Sequence, residues 1–391
     1  MRLQDVVRAV LGLLLFVWIA PLPAAQAQVG LQTDARAAIL VDFDTGAVLF
    51  QKNADEPLPP ASLSKLMTLA VVFKALKSGE LKLDQEFQVS ENAWRTGGAP
   101  SRTSAMFVPI NTREPVESLI RGIAVQSGND ASIAMAEGLS GSEAAFVERM
   151  RREAASIGLT NSSFGNSTGL DNPQQLMSAR DLARLSSYLI RTYPEYYGFF
   201  SEKEFKYRKH RFFNRNPLLS EDLGVDGLKT GHTKASGYGL AVSSLRDGRR
   251  LVAVVLGLPT ALKRKREARR LLHWGYSMLS QAILFDEGEI VGHARVWGGQ
   301  QFYVPLEAEG PVSVPVLKSA AKQMFSASIQ YAGPLKPPVH KGDKVAELDI
   351  TGSLGAQHKV PLYAAEDVDE GGIVRQGLDS LAIMVGRYIG L

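Results

Sequence analysis

The pattern of apolar and polar positions changes its period along the chain. Between residues 38 and 50, two apolar runs flank Asp44-Thr45-Gly46, which predicts a β-hairpin. A helical period then dominates as far as about Leu189, over residues 62–76, 116–126, 131–137, 143–157 and 179–190. After Val225 the pattern predicts strands again, over residues 227–233, 238–244 and 251–256, and a last long helix over residues 262–279.

This order of elements predicts one α+β domain of roughly 250 residues, in which helices pack on an antiparallel sheet. Beyond Glu287, short apolar runs alternate with glycine and proline, so we expect a small all-β domain that ends near Ala365. Its predicted strands include residues 294–297, 302–305, 312–317 and 344–348. Residues 28–280 and 281–370 are therefore the predicted bounds of the two domains.

The last segment, residues 371–391, has apolar residues spaced for one face of a helix. They are Leu378, Leu381, Ala382, Val385, Tyr388 and Ile389. The polar face carries few basic residues, Arg375 and Arg387. The segment is either an amphipathic helix that lies on a membrane surface or a helix that packs on the protein, and we favour the first.

Residues 1–27 are predicted to be a secretory signal peptide. Arg2 and Arg8 flank its start, the stretch Ala9–Ala20 is almost wholly apolar, and Ala25-Gln26-Ala27 provides small residues for cleavage. An uncleaved anchor is the alternative, but the apolar stretch is short beside the roughly 20 residues of a membrane span. We therefore expect an exported protein, in the periplasm or on the outer face of the cytoplasmic membrane.

The composition excludes several classes of function. The chain has 45% hydrophobic and 21% charged residues, as an ordinary globular protein does. It has no cysteine, which excludes disulfides and thiol catalysis. Its six histidines are scattered without a His-Glu-x-x-His pair, so neither a metal nor another cofactor is predicted. The net charge of +4 is small, and we interpret the basic run Lys263–Arg266 as a solvated helix face rather than a nucleic-acid site.

The first candidate motif, Ser62-Leu63-Ser64-Lys65, lies at the start of the predicted helix 62–76. Residues three apart share a helical face, so Ser62 and Lys65 can make contact. A serine hydroxyl becomes a good nucleophile when a neighbouring group takes its proton. A lysine can do so if burial or another cation lowers its pKa by about 3 units. Taken alone, this motif more often marks a capped helix with an exposed lysine.

Two further motifs follow in the sequence. Ser127-Gly128-Asn129 falls between two helical patterns, where the serine can pass on a proton and the amide can hold a carbonyl group. Alone, it would be a common turn. Lys229-Thr230-Gly231 lies on a predicted strand and suits a carboxylate, and the glycine leaves room for a substrate backbone. Lys229 is also the predicted cation that lowers the pKa of Lys65.

The combination is far more specific than its parts. Ser-x-x-Lys, Ser-x-Asn and Lys-Thr-Gly in this order are typical of penicillin-binding proteins and class A β-lactamases. Over about residues 31–280 the chain resembles the low-molecular-mass penicillin-binding proteins of peptidase family S11, the D-Ala-D-Ala carboxypeptidases. The segments that carry this resemblance are residues 60–68, 126–131, 166–171, 178–181, 214–216 and 225–233. The resemblance implies a β-lactamase/transpeptidase-like fold, followed by a small all-β domain and a membrane-associated helix.

The resemblance also implies the chemical roles. Ser62 would attack the carbonyl between two D-alanines at the end of a peptidoglycan stem peptide, with Lys65 as its general base. Ser127 would relay protons and Asn129 would position the substrate. β-Lactam antibiotics would act as inhibitors by acylating Ser62. Such an enzyme would take part in cell-wall biogenesis and the maintenance of cell shape.

The terminal carboxylate of the substrate would be bound at the third motif. Lys229, Thr230 and Gly231 would hold it, with Arg215 as a candidate second contact and Arg266 as a weaker one. The backbone amides of His232 and Ser62 would form the oxyanion hole.

Three alternatives stay open at this point. One is a D,D-endopeptidase that cuts cross-links, and another is a non-catalytic wall-binding protein. The third is a β-lactamase, although no Glu-x-x-Leu-Asn segment lies between the second and third motifs to supply a deacylating base. The stretches Gly97–Ser104 and Gln174–Met177 differ from what the family often has there, which leaves the fine substrate preference open.

Overall fold

The computed structural model describes residues 31–318, 325–351, 357–373, 375–377 and 379. The predicted signal peptide lies outside these residues, as do most residues of the predicted C-terminal helix. None of the helices in the described ranges is both long enough and apolar enough to cross a membrane.

Helices dominate the first part of the described chain and strands the last part. The helices are α1 (Lys65–Lys77), α2 (Val116–Arg121), α3 (Asn129–Ser140), α4 (Glu143–Ile157), α5 (Ala179–Thr192), α6 (Pro194–Tyr197) and α7 (Ala261–Met278). The strands are β1 (Ala37–Asp42), β2 (Val48–Lys52), β3 (Glu86–Gln88), β4 (Arg113–Pro115), β5 (Glu204–Tyr207), β6 (His210–Phe213), β7 (Val225–Thr233), β8 (Gly237–Arg246), β9 (Arg249–Leu258), β10 (Leu279–Phe285), β11 (Ile290–Arg295), β12 (Tyr303–Ala308), β13 (Val312–Leu317), β14 (Ser326–Gln330), β15 (Lys344–Thr351) and β16 (Gln357–Ala364).

A five-stranded antiparallel sheet, in the order β2-β1-β9-β8-β7, lies between two helical layers. Successive side chains of a strand point to opposite faces. Accordingly, Ile39 and Val252 belong to the core shared with α1 to α5, whereas Leu40 and Leu251 lie against Gly275 of α7. Strand β7 is at the edge of the sheet, so one row of its backbone amides and carbonyls has no partner strand.

The C-terminal strands form a separate β-rich region with its own core. One sheet has the order β11-β12-β16-β15-β14, and β10 pairs with β13. The buried core residues include Ala294, Val304, Leu306, Val314, Leu348 and Leu362. The predicted fold class, an α+β domain with helices on an antiparallel sheet and then a small all-β domain, is confirmed.

One local prediction was wrong, and one hairpin was missed. The helix expected from Ser62 begins at Lys65, because Ala61–Ser64 form a 3₁₀ turn. The hairpin of β5 and β6 was not predicted, since its turn places Arg208 at φ 51° and contains neither glycine nor asparagine as a turn signal.

Candidate active site

The first two motifs meet at the side chain of Lys65. Its Nζ donates to Ser62 Oγ at 3.1 Å and to Asn129 Oδ1 at 2.6 Å. A third bond goes to the backbone carbonyl of Thr168, in the loop rich in Asn, Ser and Gly. The contact predicted from helical spacing is therefore present, since residues three apart also share a side in a 3₁₀ turn.

The electrostatic surroundings of Lys65 favour its neutral form. The residue is completely buried, and burial lowers its pKa to about 7, with repulsion from Arg215 as the second cause. Asp130 and Glu143 act in the opposite direction. The amine can therefore accept a proton near neutral pH, as a general base must.

Lys229, the predicted cation beside Lys65, does repel it, and Arg215 is a second cation that lowers the pKa of Lys65. Lys229 is itself buried, and its Nζ has one weak bond, 3.3 Å, to the carbonyl oxygen of Thr230. Burial lowers the pKa of Lys229 well below its usual value, and repulsion from Lys65, Arg215 and Arg264 adds to this. An entering carboxylate would favour the charged form of Lys229.

The second motif is held in a tight turn. The π-helical turn Gly122–Gln126 ends at Ser127, which has a left-handed backbone with φ 65°. The Oγ of Ser127 is buried without a hydrogen-bond partner among the described residues, which is uncommon for a native hydroxyl. Asn129 begins α3, and its Nδ2 donates to Thr103 Oγ1 at 2.8 Å. Because the amide oxygen accepts from Lys65 and the amide nitrogen donates to Thr103, these two bonds fix the orientation of the Asn129 amide.

Gly231 lies close to the turn that carries Ser62. A Cβ at this position would lie 2.7 Å from the carbonyl oxygen of Pro60 and 3.1 Å from Leu63 Cγ. The missing side chain thus allows β7 to pack against this turn. Thr230 is buried, whereas His232 is exposed and stacks on Tyr238 with 3.8 Å between ring centroids.

Two arginines extend the positive charge of the site. Arg215 donates to Ser104 Oγ at 2.7 Å and, as noted, repels Lys65. Arg264, which the sequence analysis missed, is buried 5.6 Å from the ring centroid of Tyr238, and its Nε finds no hydrogen-bond partner in the described part of the chain. Arg266, the weaker sequence candidate, is exposed. Residues two apart on a helix point in different directions, so only one of them faces the site.

Sequence signals existed for some of the missed residues. Arg264 shares a helical face with Ala268, Leu271 and Leu272, which are buried, so an arginine on the apolar face of a helix was the signal. Thr103 and Ser104 belong to the stretch Gly97–Ser104, which had been singled out without a role. The described residues contain no group of three or more His, Asp or Glu that could bind a metal ion.

Comparison with known proteins gives matches over most of the chain. The family model described as D-alanyl-D-alanine carboxypeptidase matches residues 23–260, and that of the C-terminal domain of penicillin-binding protein 5 matches residues 280–370. D-alanyl-D-alanine carboxypeptidase DacC of Escherichia coli (strain K12) is 38% identical over 91% of this chain and 90% of its own.

Solved structures give the same result. Penicillin-binding protein 5 from Haemophilus influenzae is 36% identical, with a TM-score of 0.74 over 87% of this chain and 99% of its own. Penicillin-binding protein D2 from Listeria monocytogenes, in the cefotaxime bound form, is 32% identical, with a TM-score of 0.58 over 63% of this chain and 98% of its own.

Proposed function

The chain belongs to the D-alanyl-D-alanine carboxypeptidase family S11, and we propose that it removes the terminal D-alanine from peptidoglycan stem pentapeptides. One observation carries this proposal: the buried amine of Lys65, with its pKa lowered to about 7, lies 3.1 Å from Ser62 Oγ. A hydroxyl beside a neutral amine has a base for its proton, which makes it a nucleophile.

The reaction then proceeds in two stages. Ser62 Oγ attacks the carbonyl carbon between the two D-alanines while its proton moves to Lys65. The C–N bond breaks, and Ser127 relays a proton to the departing amine of D-alanine. An ester between Ser62 and the shortened peptide remains, and water hydrolyses it. The unpartnered Oγ of Ser127 supports the relay role, because its hydrogen bonds are free for the reacting groups.

Substrate binding would use the positive side of the cleft. Lys229 and Thr230 would hold the terminal carboxylate, with Arg215 as a further contact and Arg264 behind them as a second cation. The free edge of β7 suits a peptide that adds as an extended strand. The backbone amides of Ser62 and His232 would form the oxyanion hole, where each donor stabilises the transition state by roughly 3–4 kcal/mol.

β-Lactam antibiotics would acylate Ser62 by the same attack. A relative with 32% identity is known in a cefotaxime-bound form, which supports this part of the proposal. The lasting adduct distinguishes the enzyme from a β-lactamase, in which the ester would be hydrolysed quickly.

Release of D-alanine from a peptide ending in Lys-D-Ala-D-Ala tests the proposal. We expect release by residues 28–391 and none by Ser62→Ala, while Ser277→Ala, which changes an exposed serine of α7, keeps full activity. Release that survives Ser62→Ala would exclude Ser62 as the nucleophile. No release by the wild type, with penicillin still bound to Ser62, would favour an endopeptidase or a wall-binding role.

We also propose that the protein is exported and touches the outer face of the cytoplasmic membrane through residues 371–391. The sequence pattern at both ends supports this. The mature protein should sediment with liposomes of anionic lipid, and a version that ends at Asp379, which keeps the carboxylate paired with Arg295, should stay in solution. Equal sedimentation of both would contradict the role of this helix.

A further inference from the structure

Glu143 links helix α4 to the loop that contacts Lys65. Its Oε1 accepts hydrogen bonds from the backbone N–H of Ser167 at 2.9 Å and from Ser167 Oγ at 2.6 Å. The start of α4 does not require this side chain, because Ser142 already caps the helix by accepting from the N–H of Ala145 at 3.1 Å. The carboxyl group of Glu143 is therefore used to hold the loop.

Ser167 is also held from the opposite side. It is completely buried, and its carbonyl accepts a hydrogen bond of 2.7 Å from Thr68 Oγ1, one helical turn beyond Lys65 on α1. The next carbonyl along the chain, that of Thr168, is the one that accepts from Lys65. Any movement of Ser167 would therefore move an acceptor of the proposed base.

This acceptor matters because a neutral lysine has two N–H bonds and one lone pair. Bonds to Asn129 Oδ1 and to the Thr168 carbonyl use both N–H groups. The ammonium form donates to the third neighbour, Ser62 Oγ, at 3.1 Å, and in the neutral form the lone pair is left for this contact, where it must accept the proton of Ser62. If the Thr168 carbonyl moved away, the amine could rotate and direct an N–H group at Ser62 instead.

We propose that Glu143 is a positioning residue for Lys65: it clamps Ser167 so that the Thr168 carbonyl orients the amine, and it places a negative charge behind that contact. The proposal rests on the proposed role of Lys65 as general base. The charged groups that act on Lys65 are Glu143 and Asp130, which favour the ammonium form, and Arg215 and Lys229, which oppose it. Asp130 is bound to the backbone N–H groups of Met106 and Val108.

The test is the pH dependence of β-lactam acylation, measured from pH 5 to 9 and paired with D-alanine release. In the wild type the rate should rise as Lys65 loses its proton, with its midpoint near pH 7, since its pKa is about 7. Glu143→Gln keeps an oxygen acceptor for Ser167 but removes the charge. Loss of a nearby negative charge disfavours the ammonium form, so the midpoint should move by roughly half a pH unit to lower pH. The plateau rate should stay within about twofold.

Glu143→Ala removes the clamp as well as the charge. We expect the same shift of the midpoint together with a plateau rate that is roughly tenfold lower, because the amine is no longer oriented. Ser167→Ala should lower the plateau without moving the midpoint, as it keeps the charge. Glu148→Gln, which removes an exposed charge from the same helix, is the control and should change neither.

The outcomes separate this proposal from the function on which it rests. A wild-type rate with no rise near pH 7 would overturn the role of Lys65 and this proposal with it. A normal wild-type profile that Glu143→Gln leaves unmoved would overturn the proposal alone. A lower melting temperature of Glu143→Ala with unchanged midpoint and plateau would show a purely structural role, which also contradicts it.

Discussion

The buried polar groups of the catalytic cleft and the buried carboxylate of Asp379 in the C-terminal region differ in their hydrogen bonding. In the catalytic region, Lys229 is buried with one weak hydrogen bond and Ser127 Oγ is buried with none among the described residues. In the C-terminal region, the carboxylate of Asp379 is buried, but one oxygen bonds Arg295 at 3.0 Å and the other the N–H of Gly298 at 2.8 Å.

The difference shows where the fold contains destabilising buried groups. A buried polar group without a partner destabilises the native state by about 1–3 kcal/mol. Such groups persist where they serve a reaction, because their unused hydrogen-bond donors and acceptors are available to the substrate. A fully bonded buried carboxylate such as Asp379 instead fixes neighbouring segments. Substitution of an unpartnered group in the catalytic cleft should therefore change the chemistry, and substitution of a fully bonded group such as Asp379 should change stability alone.

Lys65→Ala should have the largest effect. Loss of the proposed general base should lower the acylation rate by a factor on the order of 10³. Labelling with a fluorescent penicillin measures this rate. Lys359→Ala, which removes an exposed lysine paired with Glu347 in the C-terminal region, is the matched control and should leave it unchanged. A Lys65→Ala rate above a tenth of the wild type would rule out the assignment.

Arg215→Ala should come next in size. A hydrogen bond to a charged group contributes about 1.5–3 kcal/mol, so kcat/KM for a peptide with a free terminal carboxylate should fall roughly 10- to 100-fold. The same peptide with a terminal amide should lose little, since it has no carboxylate to bind. Arg266→Ala serves as the control because Arg266 is exposed. Equal losses for the acid and the amide would show that Arg215 acts on the fold or on Lys65 rather than on the carboxylate.

Gly231→Ala should have a smaller, mixed effect. The added Cβ would lie 2.7 Å from the Pro60 carbonyl, so β7 and the Ser62 turn must separate. We expect a several-fold slower acylation and a loss of about 1–3 kcal/mol of stability. Gly198→Ala, at a position with open space around it, controls for the extra methyl group. Normal acylation by Gly231→Ala would mean that the turn position does not depend on this contact.

The sequence predicted most of the fold class because its signals are local. The period of apolar residues indicated α4 and α5 nearly to the residue, and the predicted strands 238–244 and 251–256 lie within β8 and β9. The hairpin β5-β6 was missed because its turn lacks glycine and asparagine, so only tertiary packing shows that its residues pair.

The site residues also divide into those with a local sequence signal, which were predicted, and those that depend on tertiary packing, which were not. Ser62 and Lys65 were found because three-residue spacing brings them together within one segment. Thr168 could not be found, since it contributes a backbone carbonyl, which any residue type would provide. The sequence analysis chose Arg266 instead of Arg264. The orientation of α7 against the sheet, which the run of basic residues does not reveal, decides which arginine is buried.

Asp379→Asn should have the smallest effect on activity and tests the comparison from the other side. The amide loses the charge that pairs with Arg295 at 3.0 Å, leaving a partly buried guanidinium without its carboxylate. Removing one partner of such a pair destabilises a fold by up to about 3–5 kcal/mol, and a neutral isostere should cost less than that. Thermal unfolding should therefore show a lower melting temperature, while penicillin acylation below that temperature stays at the wild-type rate. Slower acylation by the fully folded variant would mean that the C-terminal region adjusts the catalytic cleft. The contrast between buried polar groups that serve the reaction and a buried carboxylate that only stabilises the fold would then not hold.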